Sequence, residues 1–170
     1  MLHIYVTFPK FKTMNNAAHL HLLVNHLPIF LPLFGLIILI IGIVFKSEIV
    51  KRISLSMFAL TGVFAFVAFS TGEGAEEIAE GLNRSHDLIH EHEEAAETFA
   101  LLSYVLAVFS IISFWFNWKK HPFKEISMYI VLVISCVVIY FSYPAGQTGG
   151  EITHPEVSNS FKAPVESHEE

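Results

Sequence analysis

From Leu20 to Phe45 the chain carries no formal charge. A stretch of this kind has few ways to fold. About 20 residues of α-helix cross the hydrocarbon of a bilayer, and lipid offers backbone N–H and C=O groups no partner except each other. Three more stretches share the property: Ile53 to Gly72, Phe99 to about Phe116, and Ile126 to about Tyr143. With 53% hydrophobic and only 15% charged residues, the chain is too apolar for an ordinary soluble domain. The sequence predicts an all-α protein, a four-helix transmembrane bundle with a helical acidic loop between spans two and three. Residues 1–16 form a lead-in, 17–143 the membrane domain and 144–170 an outer C-terminal tail. The first apolar run is too long for a signal-peptide core. Met14 opens a cleaner start than Met1, and translation is expected to begin there.

Basic residues set the orientation. The loop after span one holds Lys46, Lys51 and Arg52, and the loop after span three holds Lys119, Lys120 and Lys124. The connection between spans two and three has only Arg84. Lys and Arg favour the cytoplasmic side in short loops, so both termini and the acidic loop are expected outside the cytoplasm. Trp115 and Trp118 fit an inner aromatic belt, and Tyr140 and Tyr143 an outer one. The net charge of −6 gathers between Glu73 and Glu97 and again from Glu151 onward. Such a surface is a poor match for nucleic acid or anionic lipid. Cys136 is the single cysteine and can form no internal disulfide.

In this orientation nine of ten histidines fall on the outer side, and only His121 falls inside. His3 and His168 belong to the terminal segments and are set aside. If the first helix starts near Ala17, His19 and His26 share a face, and His21 shares a neighbouring one with Asn25. By helical rise His26 lies roughly 10 Å deeper than His19, which makes it the histidine expected within the apolar zone. In the acidic loop, Gly74 to Glu80 reads as helix, Gly81 breaks it, and Asn83 or Ser85 caps the next helix. That helix runs into span three. His86, His90, Glu93 and Glu97 form its polar stripe, while Leu88, His92, Ala95 and Phe99 form an apolar stripe interrupted only by His92. His92 is expected to face the bundle and His90 to face water. After Tyr143-Pro144, the segment Gly146 to Gly150 is expected to fold back and bring His154 over the outer mouth.

Three chemistries suit imidazoles gathered near a membrane surface. One is axial ligation of a b-type haem, with His21, His26, His92 and His154 as candidates and Gly35, Gly42 and Gly62 as points of close approach. A Cys-x-x-Cys-His motif is lacking, which excludes covalent c-type haem. The second is a transition-metal ion held by His26 and His92 with carboxylates from Glu73, Glu76, Glu77 or Glu93. The third is a proton or quinol site shared by a histidine and a carboxylate. Against these stands the plain alternative of interfacial histidines and a solvated acidic helix face. The cytoplasmic half of the spans reads as almost free of polar pathway, which argues against a channel.

His21-Leu-Leu-Val-Asn-His26-Leu-Pro28 resembles the His-Pro-x-x-x-His-x-Pro opening of a bacterial predicted-membrane-protein family, the domain of unknown function numbered twenty-two thirty-one. Thr71-Gly72, His92 and Gly149-Gly150 are similar to later parts of that pattern, so the resemblance covers Ala18 to His154. The chain departs at Leu22, where the pattern has proline, and adds His19 and His154. Fusion of some family members to Rieske-type domains implies a redox setting. The resulting expectation is a small redox or electron-transfer component of a bacterial inner membrane, working with the lipid bilayer and with a redox partner or larger membrane complex. The alternatives are a non-catalytic accessory subunit and a metal-ion-binding membrane protein without electron transfer.

Overall fold

The computed structural model describes residues 8–157. They form α1 (Phe8–Val24), α2 (Leu27–Val44), α3 (Glu48–Ser70), α4 (Gly72–Gly81), α5 (His86–Trp118) and α6 (Lys124–Thr153), followed by a 3-10 turn at Pro155–Val157. Four helical stretches, Asn16–Val44, Glu48–Ser70, His86–Trp118 and Lys124–Thr153, are long and apolar enough to cross a membrane. By length and hydropathy the chain is a multi-pass membrane protein. Helices α2, α3, α5 and α6 pack as a ring, each against two neighbours, and α1 packs on α4 and touches α3. The all-α four-helix bundle expected from the sequence is the architecture found, with α4 as the helical part of the acidic loop.

Two boundaries differ from expectation. The first span is broken at Asn25–His26, so α1 and α2 are separate helices. Pro28 is the cause: it has no N–H to give to the Val24 carbonyl, and its ring would clash with that carbonyl. The His26 carbonyl starts the new ladder by accepting from Ile29 and Phe30 N–H. The fourth span, in contrast, does not stop at Pro144. Helix α6 continues to Thr153 with Pro144 inside it, and His154 N–H closes the last turn on the Gly150 carbonyl at 2.8 Å. The expected fold-back at Gly146–Gly150 is absent; these residues are helical. Only one hydrogen bond, that of the Tyr140 carbonyl, is lost to the proline, and packing of the following turns on α5 outweighs it.

Leu39, Leu55, Phe58, Leu106, Met128, Val131 and Val138 fill the centre of the bundle. The outward faces are apolar as well, with Phe34, Phe66, Val108, Ile111 and Val133 exposed, as a lipid-facing surface requires. Gly35, Gly42 and Gly62 are points of close approach between helices, filled by protein. A Cβ at Gly35 would fall 2.6 Å from Phe58 Cε1, one at Gly42 2.9 Å from the Lys51 nitrogen, and one at Gly62 2.5 Å from the Ala107 Cβ. They draw α2 onto α3 and α3 onto α5, and they leave no cradle for a macrocycle there.

The interior also holds more polar groups than the sequence led one to expect. Ser54, Thr61, Ser103, Ser110, Ser113, Asn117, Ser127, Ser135 and Ser142 are buried. Several lie in the half that read as nearly free of polar groups. Most are spent locally: Ser54 donates to the Gly35 carbonyl at 2.7 Å, Ser113 and Ser127 pair at 3.0 Å, and Ser135 and Ser142 donate to carbonyls of their own helix. Small hydroxyl residues of this kind let membrane helices approach closely.

At the lysine-rich end, the loops Phe45–Ser47 and Lys119–Phe123 close the bundle over an ionic network. Lys51, only 4% exposed, lies between Glu48 at 3.3 Å and Glu125 at 3.4 Å. Arg52 donates to Asn117 Oδ1 at 2.6 Å, and Asn117 in turn donates to Glu48. Arg52 also stacks over the Trp118 ring, 5.6 Å from its centroid. These contacts join α3, α5 and α6 at one level.

The close packing of α3 on α5 is testable. Gly62→Val should lower the stability of the detergent-solubilised protein by roughly 1–3 kcal/mol, the usual cost of overpacking. Gly81→Ala, where a Cβ would meet nothing within 4 Å, should leave the melting temperature unchanged.

Candidate functional site

The end opposite the lysines gathers the start of α2, the ends of α1, α3 and α6, helix α4 and the start of α5. Two histidines are half-buried there, His21 on α1 and His92 on α5. Each is held at Nδ1. His21 Nδ1 lies 2.9 Å from the Ala68 carbonyl, in the last turn of α3. That carbonyl also accepts from the Thr71 N–H and hydroxyl at the C-cap, and His21 adds a donor from α1. His92 Nδ1 lies 3.0 Å from Thr148 Oγ1 on α6.

The protonation of both rings follows from their partners. A carbonyl can only accept, so His21 Nδ1 carries the proton. Thr148 has one hydroxyl proton and donates it to the Pro144 carbonyl at 2.8 Å. Its oxygen can therefore only accept from His92, whose Nδ1 also carries a proton. In a neutral imidazole the other nitrogen is then a bare lone pair. In that form both His21 and His92 would offer Nε2, and the two rings are near enough to feel each other's charge. Backbone packing fixes the positions further. A Cβ at Gly149 would sit 3.0 Å from His92 Cε1, and one at Gly72 would sit 4.0 Å from His21 Cε1. Glycine at 149 therefore lets α6 pass directly against the His92 ring.

The other expected site residues lie elsewhere. His26 does not enter the bundle. The break at Pro28 makes it the N-cap of α2, where it is exposed, 2.5 Å from Asn25 Oδ1 and stacked on Phe30. The face assigned to it assumed an unbroken helix from Ala17. His154 does not close over the mouth either, because α6 continues straight past Pro144. It is exposed and bonded to Glu156 at 3.1 Å. The Glu156 carboxyl is held below the usual carboxylate range by its own backbone N–H and by His154. As expected from helical phase, His90 is exposed, 3.7 Å from Glu93 and 3.6 Å from Glu94, while His92 turns inward. His86 is exposed beside Glu80 at 3.5 Å. His3 and His168 lie outside the described residues.

The four glutamates named as metal ligands are not brought together with His26 and His92. Among the described residues no three histidine, cysteine or acidic side chains converge as a metal-holding group. Glu73 is exposed. Glu77 is half-buried with Oε2 shielded from solvent and unpartnered among the described residues. Glu76 on α4 instead pairs with Glu93 on α5. Burial, a hydrogen bond to Glu93 and the Glu93 charge together push the Glu76 carboxyl above the usual carboxylate range, with Glu80 adding to the effect and His86 opposing it. This pair ties α4 to α5.

Thr148 is the site residue that sequence reasoning missed. Gly146-Gln-Thr-Gly-Gly150 reads as a turn, but the signal was present. Ser135, Val138, Ser142 and Ala145 recur at intervals of three and four, and continuing that face past Pro144 arrives at Thr148. No protein-family model, curated protein or solved structure matches the chain.

The Glu76–Glu93 pair generates a pH prediction. A carboxyl whose pKa is raised by folding contributes stability that is present at low pH and lost as pH rises through the raised value. Amide hydrogen exchange in α4, corrected for its intrinsic pH dependence, should therefore show protection falling as the pH is raised from the acid range toward neutrality. Glu76→Gln should remove this dependence and keep α4 protected throughout.

Proposed function

We propose that this protein is a small redox component of a membrane, holding a b-type haem or a transition-metal ion near one face through His21 and His92. One observation carries the reading: two neighbouring imidazoles have Nδ1 committed to protein acceptors, which leaves Nε2 of each as the nitrogen able to take a metal. That is the state in which histidine ligates a metal, with the far nitrogen bonded to a carbonyl or another acceptor. The Ala68 carbonyl and Thr148 hydroxyl fix each ring's orientation and make each Nε2 more basic. Iron or another transition ion bound there supplies a one-electron change. The protein's part is to orient two ligands.

Placement in a bacterial plasma membrane belongs to the same proposal, as does the resemblance to the family numbered twenty-two thirty-one. Lys46, Lys51, Arg52, Lys119, Lys120 and Lys124 all lie at the end away from His21 and His92, which supports a site on the outer side with both termini outside. The exposed carboxylates of Asp87, Glu91, Glu93, Glu94 and Glu97 on α5 favour a second reading, an accessory subunit docking a larger membrane complex.

The test is an optical spectrum with metal analysis of the purified protein, set beside single variants. The proposal expects a Soret band or a stoichiometric metal ion, lost in His21→Ala and His92→Ala and unchanged in His26→Ala. Thr148→Val should weaken retention by about 10–100-fold, the usual effect of losing a group that orients a ligand. Folded protein with neither haem nor metal would sink the redox reading. Co-purification with a larger complex, unaffected by the His21 and His92 variants, would favour the accessory one.

A further inference from the structure

At the lysine end a cleft of about 310 Å³ lies between α2 and α6, lined by Ile43, Lys46, Glu48, Lys51, Glu125 and Tyr129. Its charges can be matched one by one. Glu48 is 3.3 Å from Lys51 and 3.5 Å from Lys124; Glu125 is 3.4 Å from Lys51 and 3.5 Å from Lys124. Two carboxylates thus offset two ammonium groups. The four charged side chains lining the cleft cancel; Lys124 stands outside the lining but pairs with both carboxylates, so the cluster as a whole keeps one positive charge, on Lys46, which makes no ion pair among the described residues. Lys51 is nearly completely buried, and its ammonium has three N–H donors against two carboxylate partners. The Tyr129 hydroxyl adds a further donor on the exposed side.

We infer that this cleft binds the phosphodiester of a membrane phospholipid. The single net charge fits a group with one negative charge. The location fits a headgroup: Phe45, Trp115 and Trp118 are exposed at the same end of the spans, where aromatic belts mark the membrane boundary. From that level α2 and α6 present Ile40, Val44, Ile130 and Val133 to the outside, an apolar wall for acyl chains. Basic pockets between membrane helices commonly hold lipid headgroups. The inference rests on nothing at the histidine end.

Two lysines allow a matched test. Lys46 and Lys120 have φ of 51° and 52°, the left-handed region that glycine adopts without penalty. Lys46→Gly and Lys120→Gly therefore remove the same charge from the same membrane level and leave each turn intact, but only Lys46 lines the cleft. Lys46→Met removes the charge while keeping most of the side chain. Native mass spectrometry of full-length protein in mild detergent would be titrated with phosphatidylglycerol, and separately with inorganic phosphate. The expected result is one tightly held lipid per chain in the wild type and in Lys120→Gly, at least tenfold weaker binding in both Lys46 variants, and no binding of inorganic phosphate at the same concentration. Equal losses in the Lys46 and Lys120 variants would reduce the effect to surface charge. Full retention in the Lys46 variants, or inorganic phosphate bound as tightly as lipid, would overturn the assignment.

Discussion

Inside hydrocarbon a polar group has only its own chain for a partner, and much of this structure follows from that constraint. It forces the apolar stretches into helices, and it also governs what happens where helices end. At the C-terminus of α3 the Ala68 carbonyl accepts from Thr71, and His21 reaches from α1 to add a donor from another helix. On α6 the Thr148 hydroxyl, facing the bundle, is satisfied by donating back to the Pro144 carbonyl one turn earlier. Each of these contacts fixes a proton. Because the Ala68 carbonyl cannot donate and the Thr148 proton is already used, both imidazoles must give their Nδ1 proton away. Nε2 of each ring is left to face a ligand as a consequence.

The opposite end solves the same problem with charge. Lys51 is carried into the bundle because Gly42 lets α2 come against its backbone, and a buried ammonium is tolerated only beside carboxylates. Glu48 and Glu125 supply them from α3 and α6, while Asn117 links Glu48 to Arg52. One end of the molecule is thus an ionic clasp joining three helices, and the other is a set of neutral hydrogen bonds around two histidines. The clasp suits a headgroup level rich in ions; the histidine end suits a ligand held by imidazole nitrogen.

The sequence revealed the fold more readily than the site. Uncharged length alone identified the spans, and helical phase within unbroken α5 correctly turned His92 inward and His90 outward. Phase failed where proline intervened, and in opposite directions. Pro28 broke a helix that was read as continuous, turning His26 away from the bundle. Pro144 was read as an end and is crossed by a helix that carries Thr148 to His92. At Pro28 the lost bond and the ring clash end α1 and the ladder restarts, while at Pro144 a single bond is lost and neighbouring contacts outweigh it. That balance is tertiary and is invisible in a window of residues. The buried serines were likewise hidden, since most spend their hydroxyls within the bundle and leave no periodic signature stronger than the leucines around them.

The account stands on the protonation of two rings, and nitrogen-15 NMR of histidine-labelled protein in detergent or bilayers reads that protonation directly. His21 and His92 should both appear with Nδ1 protonated and hydrogen-bonded. Nε2 should be metal-bound in a loaded preparation. Replacing Thr148 with valine should disturb His92 and leave His21 as it was. A tautomer with Nδ1 bare and Nε2 protonated at either position in the wild type would contradict the account.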